Sequence, residues 1–351
     1  MRWRTAGERR ERRDEDLDEE AAIEEFPGAD AELAAEIERL AELNRWNPSV
    51  EQERRLLHLR NLLGIRLLES RADDGGFPEP DYAALPSNGS LLPEIEPGAL
   101  TPELLRAAIL RNGCVLVRGL LDRAEAEELA GKIDRSFAER ERYDAGKTFN
   151  DRLYVPFQHD PRRGIRPPRN FIKAGGGVLA VDSPMLSFEM RELLRDTGLP
   201  ALVEGYLREA PLVASDKTTL RKAEPSVSGA WHQDGKFMGE VKALNLWLAL
   251  TECGERAPGL DLVPRRLEQH VATQTDEAMM PNQVSQRVAE EAAGELPILR
   301  PVFEPGDALL FDELFLHKTA SDPRMRRPRY ALESWFFGAS AFPENYVPLA
   351  L

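Results

Sequence analysis

Apolar residues recur at helical spacing near the start of the chain. They form two runs: Leu33, Ile37, Leu40 and Leu43, and then Leu56, Leu59, Leu62 and Leu63. Residues three or four apart share one face of a helix, so each run predicts an amphipathic helix between residues 30 and 70. Asn47-Pro48-Ser49 separates the runs, and Ser49 is suited to cap the second helix. The pattern predicts a helical hairpin, preceded by a charged tail (1–25) and followed by a Pro- and Gly-rich linker (71–99).

More helices are predicted after the linker. Thr101-Pro102 supplies an N-cap residue followed by proline at the first helical position, and Asn112-Gly113 marks the end of that helix. Asp122 is suited to cap a second helix, which runs to about Ala138. Two more helical segments are predicted within residues 185–208, and a short apolar strand over 114–117.

From residue 212 the pattern changes to short apolar or alternating runs separated by turn signals. Strands are predicted over 212–222, 231–234, 244–250, 260–263, 298–303, 308–311, 314–319 and 330–337. Many short strands of this kind are typical of a β-sandwich or barrel, here with the earlier helices covering one sheet. We therefore predict an α+β fold with an N-terminal extension (1–99) and a main domain (100–351). The polar stretch 265–296 is a predicted insertion that could serve as a lid.

Composition narrows the functional classes. The net charge of -15 and pI of about 5.0 argue against a general nucleic-acid binder. The charged N-terminus does not resemble a signal peptide, and no apolar run approaches the length of a membrane span. Cys114 and Cys253 lie in unrelated contexts and are interpreted as reduced packing residues. We expect a cytoplasmic protein that acts without nucleic acid or membrane.

A metal site is the strongest chemical hypothesis from the residues. On a strand, His232 and Asp234 point to the same face, because side chains alternate with period two. An isolated His-x-Asp pair more often arises by chance, but His317 in a later strand offers a third ligand. Of the other histidines, His58 and His270 are predicted to be exposed, and His159 has its carboxylate neighbour on the opposite face. Two histidines and one carboxylate that leave further positions open are typical of non-haem Fe(II) oxygenases.

Several motifs together resemble the phytanoyl-CoA dioxygenase-like (PhyH) family. In this chain, Trp231-His232-Gln233-Asp234-Gly235 resembles the family's metal-binding motif. The stretch Leu244-Asn245-Leu246-Trp247-Leu248-Ala249-Leu250 resembles the strand that follows that motif. The remaining similar stretches are Gly113–Gly119, Pro258–Pro264 and Pro305–Asp312, the last running into His317. The motifs are short but occur in the family's order, over about residues 100–340.

This resemblance implies a double-stranded β-helix, also called a jelly roll, with Fe(II), 2-oxoglutarate and dioxygen as co-reactants. His232, Asp234 and His317 match the family's iron ligands. Arg329 or Arg327 should pair with the distal carboxylate of 2-oxoglutarate. We favour Arg329, which opens the last strand, although the turn after His317 departs from the family pattern and leaves the choice open. Further candidates for cofactor binding are Thr319, Lys217 and Trp247.

The predicted function is an Fe(II)- and 2-oxoglutarate-dependent dioxygenase that hydroxylates a small molecule and releases succinate and CO2. Desaturation, epimerisation and ring closure use the same ligands and remain open. Trp231, Phe237 and Met238 are candidates for the pocket or for ordinary packing. The alternatives are a divalent-metal hydrolase on a similar barrel, or a non-catalytic jelly-roll scaffold. The N-terminal helices are the candidate surface for a homodimer.

Overall fold

The computed structural model describes residues 26–70, 76–159, 167–226 and 228–351. The predicted charged tail (1–25) lies outside the described residues. The helices are α1 (Asp30–Trp46), α2 (Val50–Glu69), α3 (Pro102–Asn112), α4 (Arg123–Asp144), α5 (Arg169–Ala174), α6 (Pro184–Asp196), α7 (Leu199–Leu207) and α8 (Gln286–Ala293). The strands are β1 (Glu94–Ile95), β2 (Cys114–Val117), β3 (Gly177–Leu179), β4 (Pro211–Ala214), β5 (Thr219–Ala223), β6 (Ala243–Ala249), β7 (Gly259–Leu262), β8 (Ala308–Phe311), β9 (His317–Ala320), β10 (Arg329–Gly338) and β11 (Pro348–Ala350).

A large, mostly antiparallel sheet forms the centre of the fold. Its main strand order is β1-β2-β8-β6-β10-β4-β11. The long strand β10 pairs along one side with β6 and along the other with β4 and then β5, beyond which lies β3. Because β10 contacts three strands, its register fixes which side chains of the sheet face the interior.

A small sheet of β7 and β9 lies opposite one face of the large sheet. Isolated bridges extend it, joining His232 to His317, Trp231 to Val284 and Leu262 to Leu299. The predicted strands over 231–234 and 298–303 are therefore wrong as continuous strands. The first is cut short because Asp234 begins a turn of 3-10 helix, which carries the chain away from the sheet.

Both faces of the large sheet are buried. Along β6, Leu244, Leu246 and Leu248 join a core formed with the helices. The alternate residues Trp247 and Ala249 join a second core that includes residues of both sheets. Burial on both faces explains why every residue of this strand except Asn245 is apolar.

The helices cover the outer face of the large sheet, as predicted. Leu105 of α3, Ile133 of α4, Leu186 of α6 and Val203 of α7 belong to the core that they share with it. Helix α4 runs to Asp144, beyond the predicted end near Ala138.

The N-terminal hairpin packs onto the main domain through α2. The backbone of α2 approaches β11 closely at Gly64, where a Cβ atom would lie 3.1 Å from the carbonyl of Pro348. The Asn61 side-chain amide donates to the same carbonyl at 2.7 Å. Dimerisation through these helices stays a prediction.

The insertion between β7 and β8 covers the back of the small sheet. Val284, Val288 and Ala289 pack there against Trp231 and Leu316. Each of these last two residues is adjacent in sequence to a histidine of the predicted triad, so its side chain points to the opposite face. Helix α8 therefore lies behind the predicted metal site, and a lid role for the rest of the insertion stays a prediction. Within the described ranges, no helix has both the length and the apolar character needed to cross a membrane.

Candidate metal centre

The two candidate histidine ligands are held together by the backbone. His232 N–H donates to the carbonyl of His317 at 3.0 Å, and His317 N–H donates to the carbonyl of His232 at 3.2 Å. Such a reciprocal pair places both side chains on the same face of the sheet. Their ring centres are 4.5 Å apart.

The turn that carries Asp234 is fixed from both sides. Gly235 N–H donates to the carbonyl of Glu313 at 3.0 Å. The buried Gln233 side chain accepts from Val271 N–H at 2.8 Å and donates to the carbonyl of Leu314 at 2.6 Å. A rigid support of this kind holds a ligand in position before the metal binds.

The three side chains converge on one point. Asp234 Oδ1 lies 4.0 Å from His232 Nε2, and Asp234 Oδ2 lies 3.7 Å from His317 Nε2. One ligand atom from each residue lies within 4.8 Å of the other two. Among the residues that the structure describes, no other group of His, Cys, Asp or Glu side chains converges in this way. The same face holds the three residues even though 231–234 is not a regular strand.

The second nitrogen of each imidazole is engaged by a backbone carbonyl. His232 Nδ1 lies 2.8 Å from the carbonyl of Ala230, and His317 Nδ1 lies 3.1 Å from that of Phe315. A carbonyl can only accept, so Nδ1 carries the proton in both rings. The lone pair of each Nε2 is then directed toward Asp234, which is the arrangement that metal-bound histidines adopt.

The electrostatics favour a neutral imidazole beside a carboxylate. Burial, reinforced by His232, lowers the pKa of His317 to about 4. Burial raises the pKa of Asp234, but His232, His317 and Lys217 outweigh it, and the net shift is downward. Asp234 Oδ2 is buried without a hydrogen-bond donor. This donor set, two imidazole nitrogens and one carboxylate oxygen, fits a divalent cation such as Fe(II).

Arg329 lies in the same interior but is paired with no carboxylate of the described chain. Its side chain is 3% exposed, and Nη1 donates to the carbonyl of Gly259 at 3.2 Å. Its guanidinium lies 5.3 Å from the centre of the Trp247 ring, and Nε has no hydrogen-bond partner. Burial lowers the pKa of Arg329, yet guanidinium stays charged in proteins. A buried cation with free N–H groups fits an incoming carboxylate.

The other predicted cofactor residues differ in position. Thr319 lies two residues after His317 in β9, on the same face of the strand. The next residue, Ala320, pairs with Gly259, whose carbonyl accepts the hydrogen bond from Arg329. Trp247 is buried opposite Glu333 in the sheet. Arg327 is exposed in the preceding turn, away from the interior. Lys217 lies beside Tyr346, with its ammonium nitrogen 5.6 Å from the ring centre, and the charge of Asp234 raises the pKa of Lys217.

The predictions that His58 and His270 are exposed need correction, and the three residues left open between pocket and packing differ in position. His58 is half-buried against Phe157, with ring centres 5.0 Å apart, and His270 is half-buried beside Gly235. Trp231 packs on the back of the small sheet and does not line the metal face. Phe237 is 55% exposed, whereas Met238 is buried in the core between the sheets.

Some polar residues of the interior were not predicted as site residues, among them Arg221, Glu333 and Tyr346. Arg221 in β5 pairs with Glu333 in β10 at 3.3 Å, on the face that also holds Arg329. Tyr346 contacts Lys217 from beyond the last predicted strand, with Lys217 Nζ 5.6 Å from its ring centre. Alternation from Arg329 could have identified Glu333, but no local signal in the sequence brings Tyr346 to the site.

Two sheets with a His, Asp and His cluster between them define a protein of the mononuclear non-haem metal class. The sequence model of the phytanoyl-CoA dioxygenase (PhyH) family matches residues 109–326, which is more than half of the chain. The chain therefore belongs to the phytanoyl-CoA dioxygenase family, a family of Fe(II)/2-oxoglutarate-dependent oxygenases, which confirms the family predicted from its motifs. The match includes the three candidate ligands and ends just before Arg329.

Solved structures show partial similarity. One is EctD from S. alaskensis with 2-oxoglutarate and 5-hydroxyectoine (17% identity, 77% of this chain, 86% of that chain, TM-score 0.48). Another is the epimerase SnoN in complex with Fe3+, alpha ketoglutarate and nogalamycin RO (22% identity, 69% and 86%, TM-score 0.44). A third is AviO1 from Streptomyces viridochromogenes Tue57 (18% identity, 70% and 98%, TM-score 0.44). No curated protein matches the sequence.

Proposed function

We propose that this protein is an Fe(II)- and 2-oxoglutarate-dependent dioxygenase that hydroxylates a C–H bond of a small molecule. The observation that carries the proposal is the convergence of His232 Nε2, His317 Nε2 and the Asp234 carboxylate within 4.8 Å. The family to which the chain belongs supports an oxygenase, and the hydroxylation outcome is our own inference.

His232, Asp234 and His317 would hold the iron. The two Nδ1–H groups donate to backbone carbonyls, which fixes the orientation of both rings. Asp234 supplies the one negative charge among the three ligands. When bound, Fe(II) would supply the oxidising chemistry together with 2-oxoglutarate and dioxygen; one oxygen atom would enter the substrate and the other succinate, with release of CO2.

Arg329 would hold the distal carboxylate of 2-oxoglutarate. Its planar fork suits a carboxylate better than an ammonium does, and the surrounding residues exclude water from it. Thr319 would add a hydroxyl donor from the same end of the small sheet. Trp247 would position the guanidinium by stacking beneath it, since the two lie 5.3 Å apart.

The absence of a carboxylate partner for Arg329 in the described chain argues against the two alternatives. A divalent-metal hydrolase needs the three ligands and an activated water, and a scaffold needs neither the metal nor the anion site. Neither function accounts for a buried guanidinium whose Nε has no acceptor. Desaturation, epimerisation and ring closure use the same groups, so analysis of the oxidised product distinguishes them from hydroxylation.

The test is an anaerobic titration of the apoprotein with Fe(II) and 2-oxoglutarate, followed by addition of oxygen. We expect a weak visible charge-transfer band when 2-oxoglutarate chelates the iron. Release of succinate should follow when oxygen is added in the presence of candidate substrates from a panel of metabolites. A wild-type protein that gives neither the band nor succinate would refute the proposal. A variant with Asp234→Ala is the matched control, because it keeps both histidines and removes the anionic ligand.

A further inference from the structure

Lys217 is held in a rigid turn at the edge of the large sheet. It ends a turn of 3-10 helix (Ser215–Lys217) between β4 and β5. Ser215 N–H donates to the carbonyl of Val347 at 3.0 Å, and Asp216 Oδ1 accepts from Val347 N–H at 3.2 Å. The turn is therefore tied to the segment that carries Tyr346. Lys217 has little backbone freedom left to lose when it binds a ligand.

The ammonium nitrogen of Lys217 lies 5.6 Å from the ring centre of Tyr346, a residue of the core that both sheets share. The groups with which it interacts are Asp234, Tyr346 and Glu333. Burial lowers the pKa of Lys217, but these neighbours outweigh it and the net shift is upward, so the side chain is charged near neutral pH. Among the carboxylates that the structure describes, none lies within 4.0 Å of its nitrogen. A half-buried ammonium without an ion-pair partner has donors left for a ligand.

The other charged groups of this interior already have roles. Glu333 pairs with Arg221 at 3.3 Å and accepts from the Thr219 hydroxyl at 3.5 Å. Asp234 is a proposed metal ligand, and Arg329 is the proposed site of 2-oxoglutarate. Asp216 is adjacent to Lys217, but one of its oxygens is committed to Val347 N–H. Among the charged groups of the described interior, Lys217 is therefore the one that is left without a charged partner when the metal and 2-oxoglutarate are bound.

We propose that Lys217 binds a carboxylate of the primary substrate, which makes the substrate a small organic acid. This inference rests on the proposed function, because the carboxylate would lie beside the iron site. Asp234 contributes to the upward shift in the pKa of Lys217, and the Tyr346 ring lies beside the ammonium, with its centre 5.6 Å from the nitrogen. The salt-bridged pair of Arg221 and Glu333 borders the same space.

The experiment measures binding to the anaerobic enzyme loaded with Fe(II) and saturated with 2-oxoglutarate. The probes are butanoate, hexanoate, benzoate and phenylacetate, each compared with its primary amide. The readout is perturbation of the visible charge-transfer band, which needs no turnover. Saturating 2-oxoglutarate prevents the acids from occupying the Arg329 site. The variants are Lys217→Met, which keeps the length and removes the charge, and Lys222→Met as the matched control. Lys222 follows in β5 but pairs outside the site with Asp134 at 2.9 Å.

We expect at least one acid to bind wild type at least tenfold more tightly than its amide. Lys217→Met should weaken binding of that acid by about ten- to a hundredfold, as expected for loss of a charge-assisted hydrogen bond. Lys222→Met should retain the preference.

Three results would overturn the proposal. Acids and amides could bind wild type equally or not at all, or Lys217→Met could leave the preference intact. Lys217→Met could also weaken 2-oxoglutarate itself, which would assign Lys217 to the co-substrate. Absence of the band in wild type would instead refute the proposed function, so the two failures are distinguishable.

Discussion

Replacing Arg329 with methionine should separate co-substrate binding from folding. The substitution keeps a long side chain beneath β7 but removes the charge and the donor to the Gly259 carbonyl, 3.2 Å away. In the protein without 2-oxoglutarate, the guanidinium is a buried cation with no carboxylate partner in the described chain. Replacing such a group with an apolar one is often neutral or stabilising. We therefore expect the Tm of the metal-loaded, ligand-free variant to equal or exceed that of wild type.

The magnitude for 2-oxoglutarate follows from burial. Arg329 is 3% exposed, so its loss leaves the distal carboxylate of the co-substrate in a dry site without a partner. Breaking a buried charge pair costs about 3–5 kcal/mol, which is roughly a hundredfold to a few thousandfold in Kd. A ligand at a hundred times Kd stabilises the folded protein by about 2.7 kcal/mol. At that concentration, a variant with a thousandfold weaker Kd would gain less than about 0.1 kcal/mol.

The assay is an anaerobic thermal melt with and without 2-oxoglutarate, at a fixed concentration of Fe(II). Wild type should show a rise in Tm of roughly 5 °C at a hundred times Kd, and Arg329→Met should show none. Arg327→Ala is the control, because that side chain is exposed in the turn, and it should keep the full rise. If Arg327→Ala loses the rise in Tm while Arg329→Met keeps it, our assignment of Arg329 to the distal carboxylate of 2-oxoglutarate is wrong.

Three further predictions concern the metal, the N-terminal hairpin and pH. His317→Ala and Asp234→Ala should each abolish the charge-transfer band and succinate release, and a full-strength band in either variant would exclude the triad. Leu59→Ala should lower the free energy of unfolding by about 2–5 kcal/mol, because this side chain is 0% exposed in the core between α1 and α2. Denaturant titration measures this change, and a decrease below about 1 kcal/mol would contradict the prediction. Burial lowers the pKa of His58 in the folded state from 6.5 to about 4. Between these two pH values the unfolded state binds more protons than the folded state, so the free energy of unfolding falls as the pH falls from 6.5 to 4. His58→Phe should flatten this fall while preserving the stack on Phe157, and identical pH profiles for the two proteins would refute the assignment.

Local signals predicted the helices well because the groups that define a helix end lie close together in sequence. Ser49 caps α2 by accepting from Gln52 N–H, and Thr101 caps α3 by accepting from Leu104 N–H. Gly113 ends α3 with a positive φ of 83°, a conformation that glycine adopts easily. Each of these interactions spans three or four residues, so the sequence window contains both partners.

Burial that depends on distant segments was predicted less well. His58 lies among charged residues and was interpreted as exposed, but α2 is covered by α1 on one side and by the main domain on the other. The ring of His58 meets Phe157, which a local window around His58 does not contain. The strand predicted over 231–234 failed for the same reason. His232 and Asp234 do converge with His317, but strand pairing is limited to Trp231 and His232, which pair with Val284 and His317.

The choice between Arg329 and Arg327 shows how register supplies what composition does not. Both arginines flank Pro328, and side-chain chemistry does not distinguish them. Pairing of Arg329 with Ala223 in β5, and of Ala331 with Ala249 in β6, assigns Arg329 to the strand and to the interior face. Arg327 remains in the turn, where its backbone N–H donates to the carbonyl of Arg256. A difference of two residues therefore separates a buried guanidinium from an exposed one.

The same dependence on pairing links metal affinity to the small sheet. His232 and His317 come from distant parts of the chain and are brought together by two backbone hydrogen bonds, not by a continuous strand. The unfolded chain lacks this pair, so a metal ion that binds only the folded chain stabilises the fold. A metal ion that bridges both histidines would in turn hold β9 to the 231–235 segment. Iron binding and closure of the small sheet should therefore be mutually stabilising, and backbone amides of 231–235 and 316–319 should gain protection from hydrogen exchange together.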